Sequence, residues 1–132
     1  EAESYAIIGT RPFMAIGVLG RQRHTPHHDL ESFFYVLVWT IICHGATSPP
    51  PGSCLREWSR RDADWDQLAA RKIHDVGTEP GFQETILAEF PAELACLRGV
   101  AARLRGILFP CRDGRDVDVL YEDVICALDE GV

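Results

Sequence analysis

His28-Asp-Leu-Glu-Ser-Phe-Phe-Tyr-Val-Leu-Val-Trp-Thr-Ile-Ile-Cys-His44-Gly45 is the stretch whose reading decides the fold. Asp29 is placed to cap a helix, because its carboxylate accepts the free amide hydrogens of the next turn, and Glu31 adds negative charge beside the positive end of the helix dipole. The helix is predicted to run from Leu30 to about His44 and to stop at Gly45. Leu30, Phe33, Phe34, Val36, Leu37, Val38, Trp39, Ile41 and Ile42 fall on every side of it, and a helix that is apolar all round has to be surrounded by protein. It is expected to be the central post of the domain. Its apolar run, Phe33 to Cys43, is only about half of the roughly 20 residues that a bilayer span needs, so it reads as a buried core helix.

On the N-terminal side, Gly9, Pro12, Gly17 and Gly20 break any long period, and residues 1–22 read as an ordered loop with one helical turn near Phe13 to Leu19. On the C-terminal side, the three prolines of Thr47-Ser-Pro-Pro-Pro-Gly-Ser53 lack amide donors and make a connector. Beyond it, Trp65, Leu68, Ala69, Ile73 and Val76 recur at helical spacing, with Asp62 or Asp64 as the start and Gly77 as the stop. A further helical region is predicted from Gly81 or Phe82 to Glu89. Pro91 suits the first turn of the next, striped by Leu94, Leu97, Ala101, Leu104 and Leu108. The last helix opens near Asp116 to Asp118 and carries Val119, Leu120, Val124, Ile125 and Leu128. No stretch alternates as a strand would, so the expected fold is all-α. A single domain over residues 1–132 is expected, divided into 1–28, the central helix 29–44, the connector 45–54, and the remaining helices 55–132.

With 13 Lys plus Arg against 20 Asp plus Glu, the net charge is -7. That balance argues against nucleic acid or an anionic membrane surface as a partner, since both call for a cationic face. The five cysteines, Cys43, Cys54, Cys96, Cys111 and Cys126, are widely spaced and form no Cys-x-x-Cys pair, so neither zinc nor a disulfide framework is signalled. Buried thiols of a cytoplasmic or nuclear protein are expected, with two disulfides and a free thiol as the alternative for a secreted one. Position 1 is Glu and not Met, so the chain is expected to be a processed or excised product.

Candidate chemistry is sparse. His24, His27, His28 and Asp29 are metal-ligating residue types, but Asp29 is wanted as the cap and adjacent loop histidines rarely converge on one ion. No metal and no cofactor are expected. Ser4, Ser32 and the cysteines have no His and Asp that sequence can place beside them, so no catalytic residue is assigned.

The order Gly9-Thr10-Arg11-Pro12-Phe13-Met14, Val18-Leu19, His24-Thr25, then His28-Asp29-Leu30-Glu31-Ser32-Phe33-Phe34-Tyr35-Val36-Leu37 resembles the end of the activation segment and the central helix of a protein-kinase large lobe. The fungal-type protein kinase family is the closest pattern. The resemblance implies a C-terminal lobe fragment with a helical, C-lobe-like fold, weaker likeness extending through Leu55, Trp58 and Lys72 to Arg115 and the closing helix and so over the whole chain. It implies that residues 1–28 are activation-segment-like, and that Thr10, Pro12 and Phe13 belong to a substrate-binding loop. It also implies that Asp29 bonds a catalytic loop and that Arg115 pairs with the glutamate of an Ala-Pro-Glu triplet. At that glutamate position this chain has Gly17, within Ala15-Ile16-Gly17.

Phosphoryl transfer also needs a Gly-rich loop, a strand lysine, a catalytic-loop Asp with its Asn, and an Asp-Phe-Gly metal ligand. None is in the sequence, which contains no asparagine. The leading expectation is therefore a non-catalytic module that binds a partner protein or a second copy of itself, not an enzyme alone. The alternatives are the C-terminal part of an active serine/threonine kinase, and a secreted fungal effector that reuses a kinase fragment.

Overall fold

The computed structural model describes residues 11–109 and 117–131. These residues are all-helical, with no strand among them. A 3-10 turn at Arg11–Phe13 leads into α1 (Ile16–Leu19), and α2 (Pro26–Cys43) follows. Next come α3 (Leu55–Trp58), α4 (Trp65–Val76) and α5 (Glu79–Thr85). After 3-10 turns at Leu87–Glu89 and Ala92–Leu97, α6 (Arg98–Leu108) and α7 (Val117–Gly131) complete the order.

The central helix starts earlier than its carboxylate suggested. Thr25, not Asp29, is the N-cap: its Oγ1 accepts from the His28 amide at 3.4 Å, and the His28 ring accepts from the Thr25 amide at 3.1 Å. Pro26 explains the shift, because at the first helical position its fixed backbone angle fits and its missing N–H costs nothing. Asp29 thus lies one turn inside the helix, exposed, where its carboxylate meets His24 Nε2 at 2.6 Å. The other end closes on His44 in the left-handed region (φ 49°), followed by Gly45 at φ 90°, a conformation that glycine adopts without steric cost.

The core forms where α2 meets its neighbours. Phe34 is fully buried, with ring centroids of Tyr35, Phe82 and Phe109 at 5.9, 5.7 and 6.1 Å, separations typical of favourable aromatic packing. Leu19, Leu55, Trp58, Leu68, Leu104, Leu108 and Leu120 bring every other segment to the same cluster. α1 packs on α4, and α6 packs on both α2 and α7.

Two expectations about faces are corrected. Phe33 is 45% exposed and Val36 is 42% exposed, so α2 keeps an open apolar edge and is not surrounded on every side. In α4 the buried stripe is Leu68, Lys72, Asp75 and Val76, while Ile73 is 52% exposed. The inward turn of a lysine and an aspartate displaces Ile73 outward. Asp64 caps α4 through the Gln67 amide at 2.8 Å, and Gln67 returns a bond to Asp64. In α7, Leu120, Val124 and Ala127 face the core, whereas Val119 and Ile125 are exposed.

The contrast between neighbouring phenylalanines is measurable. Phe34→Ala should cost about 3–5 kcal/mol in urea unfolding, as a buried aromatic truncated in a close-packed core does, whereas Phe33→Ala should cost less than about 1 kcal/mol.

Candidate functional site

The segment that begins at Arg11 is fixed over residues 11–16 by polar groups buried beneath it. Lys72, the chain's only lysine, has no exposed surface. Its Nζ donates to the carbonyl oxygens of Arg11 at 2.8 Å and Met14 at 2.6 Å. The same nitrogen lies 4.4 Å from the Tyr35 ring centroid and 5.3 Å from that of Trp58, where the negative ring faces favour a cation. Burial pushes the Lys72 amine well below its ordinary value, and the nearby Glu31 carboxylate opposes that shift. Both carbonyl bonds survive in either state, because a neutral amine still carries two hydrogens.

Glu31, also fully buried, accepts from the Ile16 amide at 2.7 Å and from the Tyr35 hydroxyl at 2.5 Å. Asp75 anchors the other side: it accepts from Trp58 Nε1 at 2.8 Å and meets Arg71 Nε and His74 Nδ1, each at 3.1 Å. Burying such groups is costly unless each finds partners, and among the described residues no buried side-chain nitrogen or oxygen lacks one. From above, the Arg11 guanidinium reaches the carbonyls of Arg60 and Ala63 at 3.2 and 2.5 Å. The backbone of 11–16 is therefore held by α2, by α4 and by the turn that precedes α4.

Of the residues expected to matter, Pro12 is buried in the 3-10 turn, and Phe13 packs edge-on to Trp39 with centroids 5.5 Å apart. Both anchor the segment. Asp29 sits at the exposed start of α2 with His24. Thr10 and Arg115 lie outside the described residues. Gly17 has a local reason: a Cβ there would come within 2.5 Å of His28 Nε2 and also against the Gln22 side chain. A glutamate does not fit there without displacing both. The carboxylate beside this turn comes instead from Glu31 on α2.

Lys72, Asp75 and the role of Glu31 as a buried acceptor went unassigned by the sequence reading. The available signal was two charged residues at 72 and 75 in register with Leu68 and Val76. His24, His27 and His28 do not gather round a metal position, and no group of three ligating side chains does so among the described residues. The Cys43 and Cys54 thiols are buried and pushed up by that burial, with Glu89 adding to the effect at Cys54. Cys43, Cys54, Cys96 and Cys126 are all free, Cys96 and Cys126 being exposed. No helix among the described residues is long and apolar enough to cross a membrane.

The surface that remains is a held segment whose outer residues, Arg21, Gln22, Arg23 and His24, are exposed. Over residues 1–41, 41 of the 132, the chain matches the family model described as fungal protein kinase. The described part of that stretch, residues 11–41, is the held segment together with most of α2. No curated protein and no solved structure matches the chain.

Lys72→Met keeps the length of the side chain and removes its donors. It should cost about 2–4 kcal/mol, because two buried carbonyls lose their donor. Amide exchange should show the loss first in 11–16, with the α6 core protected longer.

Proposed function

We propose that this chain is a kinase-derived helical domain that does not transfer phosphate by itself and acts as a protein-binding module. The partner-facing surface is the held segment 11–25 with the adjoining open edge of α2. The observation that carries this reading is the buried anchorage of the segment. Lys72 and Glu31 fix its backbone from inside the fold, so the outer face is presented in one shape, and a preorganised surface loses less entropy on binding. Phe33 and Val36, exposed on α2, supply apolar area of the kind that interfaces bury. The absence from the sequence of a Gly-rich phosphate loop, an Asp-Phe-Gly ligand and any asparagine supports a non-catalytic role for the chain alone. The acidic net charge of -7 favours a protein as partner over nucleic acid or an anionic membrane.

A second reading has its own support. The similarity of residues 1–41 to the fungal protein kinase family fits the C-terminal part of a serine/threonine kinase, in which this segment would take the peptide substrate.

Thermal unfolding of the 132-residue chain with and without Mg-ATP, run beside a phosphotransfer assay, separates the two. We expect no shift and no transfer. A nucleotide present at about a hundred times its dissociation constant would stabilise the fold by about 2.7 kcal/mol, and a rise of that kind would end the non-catalytic reading. Light scattering then identifies the partner type. A dimer that Phe33→Asp returns to monomer assigns a second copy, and a monomer throughout assigns a different protein.

A further inference from the structure

The buried ring of His28 joins the start of α2 to the turn after α1. We propose that this ring is an acid-sensitive latch, which holds the segment 17–25 on the N-terminus of α2 when neutral and releases it when protonated. Nδ1 accepts the Thr25 amide hydrogen at 3.1 Å and lies 3.3 Å from Thr25 Oγ1. An acceptor nitrogen carries no proton, so the capped state requires the neutral ring. Nε2 then bears the hydrogen, and both it and the Gln22 amide oxygen lie within 2.5 Å of where a Cβ on Gly17 would sit. The residue is 6% exposed.

Protonation at Nδ1 has three consequences at once. The Thr25 amide loses its acceptor and faces an N–H, which undoes the reciprocal cap. A positive charge arrives in the first turn of α2, where the helix dipole is itself positive. Two further imidazoles lie close, His24 at 6.0 Å and His27 at 6.3 Å between ring centroids, and any charge they gain adds repulsion.

The groups acting on His28 are known from every side. On α2, Glu31 and Asp29 favour the charged ring and His27 opposes it; on the preceding loop, His24 opposes it. Gly17 and Gln22 bring no charge, Arg21 of the same loop pairs with Asp66 of α4 at 3.5 Å, and Lys72 of α4 is engaged beside Glu31. Burial is the largest influence and holds His28 below the ordinary histidine value of 6.5. Between that lowered value and 6.5 the unfolded chain binds more protons than the folded one. The stabilisation is therefore complete above 6.5 and declines as the pH falls below it. The inference concerns the fold and does not depend on the identity of any partner.

Amide hydrogen exchange on the whole chain tests it. Corrected for intrinsic rates, the amides of 19–28 should open about five- to tenfold more readily at about pH 5.5 than at about pH 7.5, the range in which histidine changes charge, with the α6 amides unaffected. The Thr25 amide and the His28 ring should titrate with one midpoint in NMR spectra. His28→Gln preserves an acceptor at the third helical position, as glutamine does in a capping box, and does not titrate. In that variant the pH response should vanish, whereas His24→Gln/His27→Gln, which retains the latch, should keep most of it. The proposal is overturned if the native chain shows no local opening, if His28→Gln opens with acid as the native chain does, or if the two NMR midpoints differ.

Discussion

A lysine with no exposed surface tolerates few surroundings, and the arrangement round Lys72 meets those conditions. Its nitrogen needs oxygen acceptors, and the carbonyls of Arg11 and Met14 provide them. It needs negative potential, which the faces of Tyr35 and Trp58 and the carboxylate of Glu31 supply. Those groups belong to the incoming segment, α2 and α3, and Lys72 itself to α4, so satisfying one side chain fixes these four parts relative to one another. Trp58 extends the linkage to Asp75, and Tyr35 extends it to Glu31 and the Ile16 amide. The aromatic packing under Phe34 contributes more burial, but it is not directional. The polar cluster supplies the direction.

This division of labour bears on what the segment can do. A loop held only by apolar contacts can slide by a residue at small cost, whereas one held through two carbonyls and an amide is fixed in register. The outer side chains from Arg21 to His24 therefore project from a defined base. The crowding at Gly17, where His28 and Gln22 occupy the space a side chain would take, limits that turn further. A surface of this kind suits recognition, with the buried groups setting its shape and the exposed ones free to vary its chemistry.

Much of the helical architecture was legible in the sequence, because apolar spacing and punctuation act locally. The apolar run of α2, Asp64 before α4 and Gly45 after α2 each report a neighbouring backbone need. The departures share another origin. Asp29 reads as the cap because a carboxylate before an apolar run is the stronger local signal, yet Pro26 moves the helix start to Thr25. Ile73 recurs at helical spacing with Leu68 and Val76, but Lys72 and Asp75 take the inward positions because partners 58 and 17 residues away in sequence satisfy them. Such pairings belong to tertiary structure, and no local window contains them. The open edge at Phe33 and Val36 was missed for the opposite reason: an apolar helix announces that it wants cover without saying what supplies it.

The position of Lys72 has a chemical corollary. A sequence with one lysine, placed where solvent does not reach, shows no ε-amine on its folded surface. Acylating reagents, amine-directed crosslinkers and enzymes that conjugate ubiquitin-like proteins to lysine find no such nucleophile on the native molecule. They find one only after the clamp on Arg11 and Met14 has opened, so covalent marking at lysine becomes a report of lost structure. The residue that organises the fold is also the one that advertises its failure.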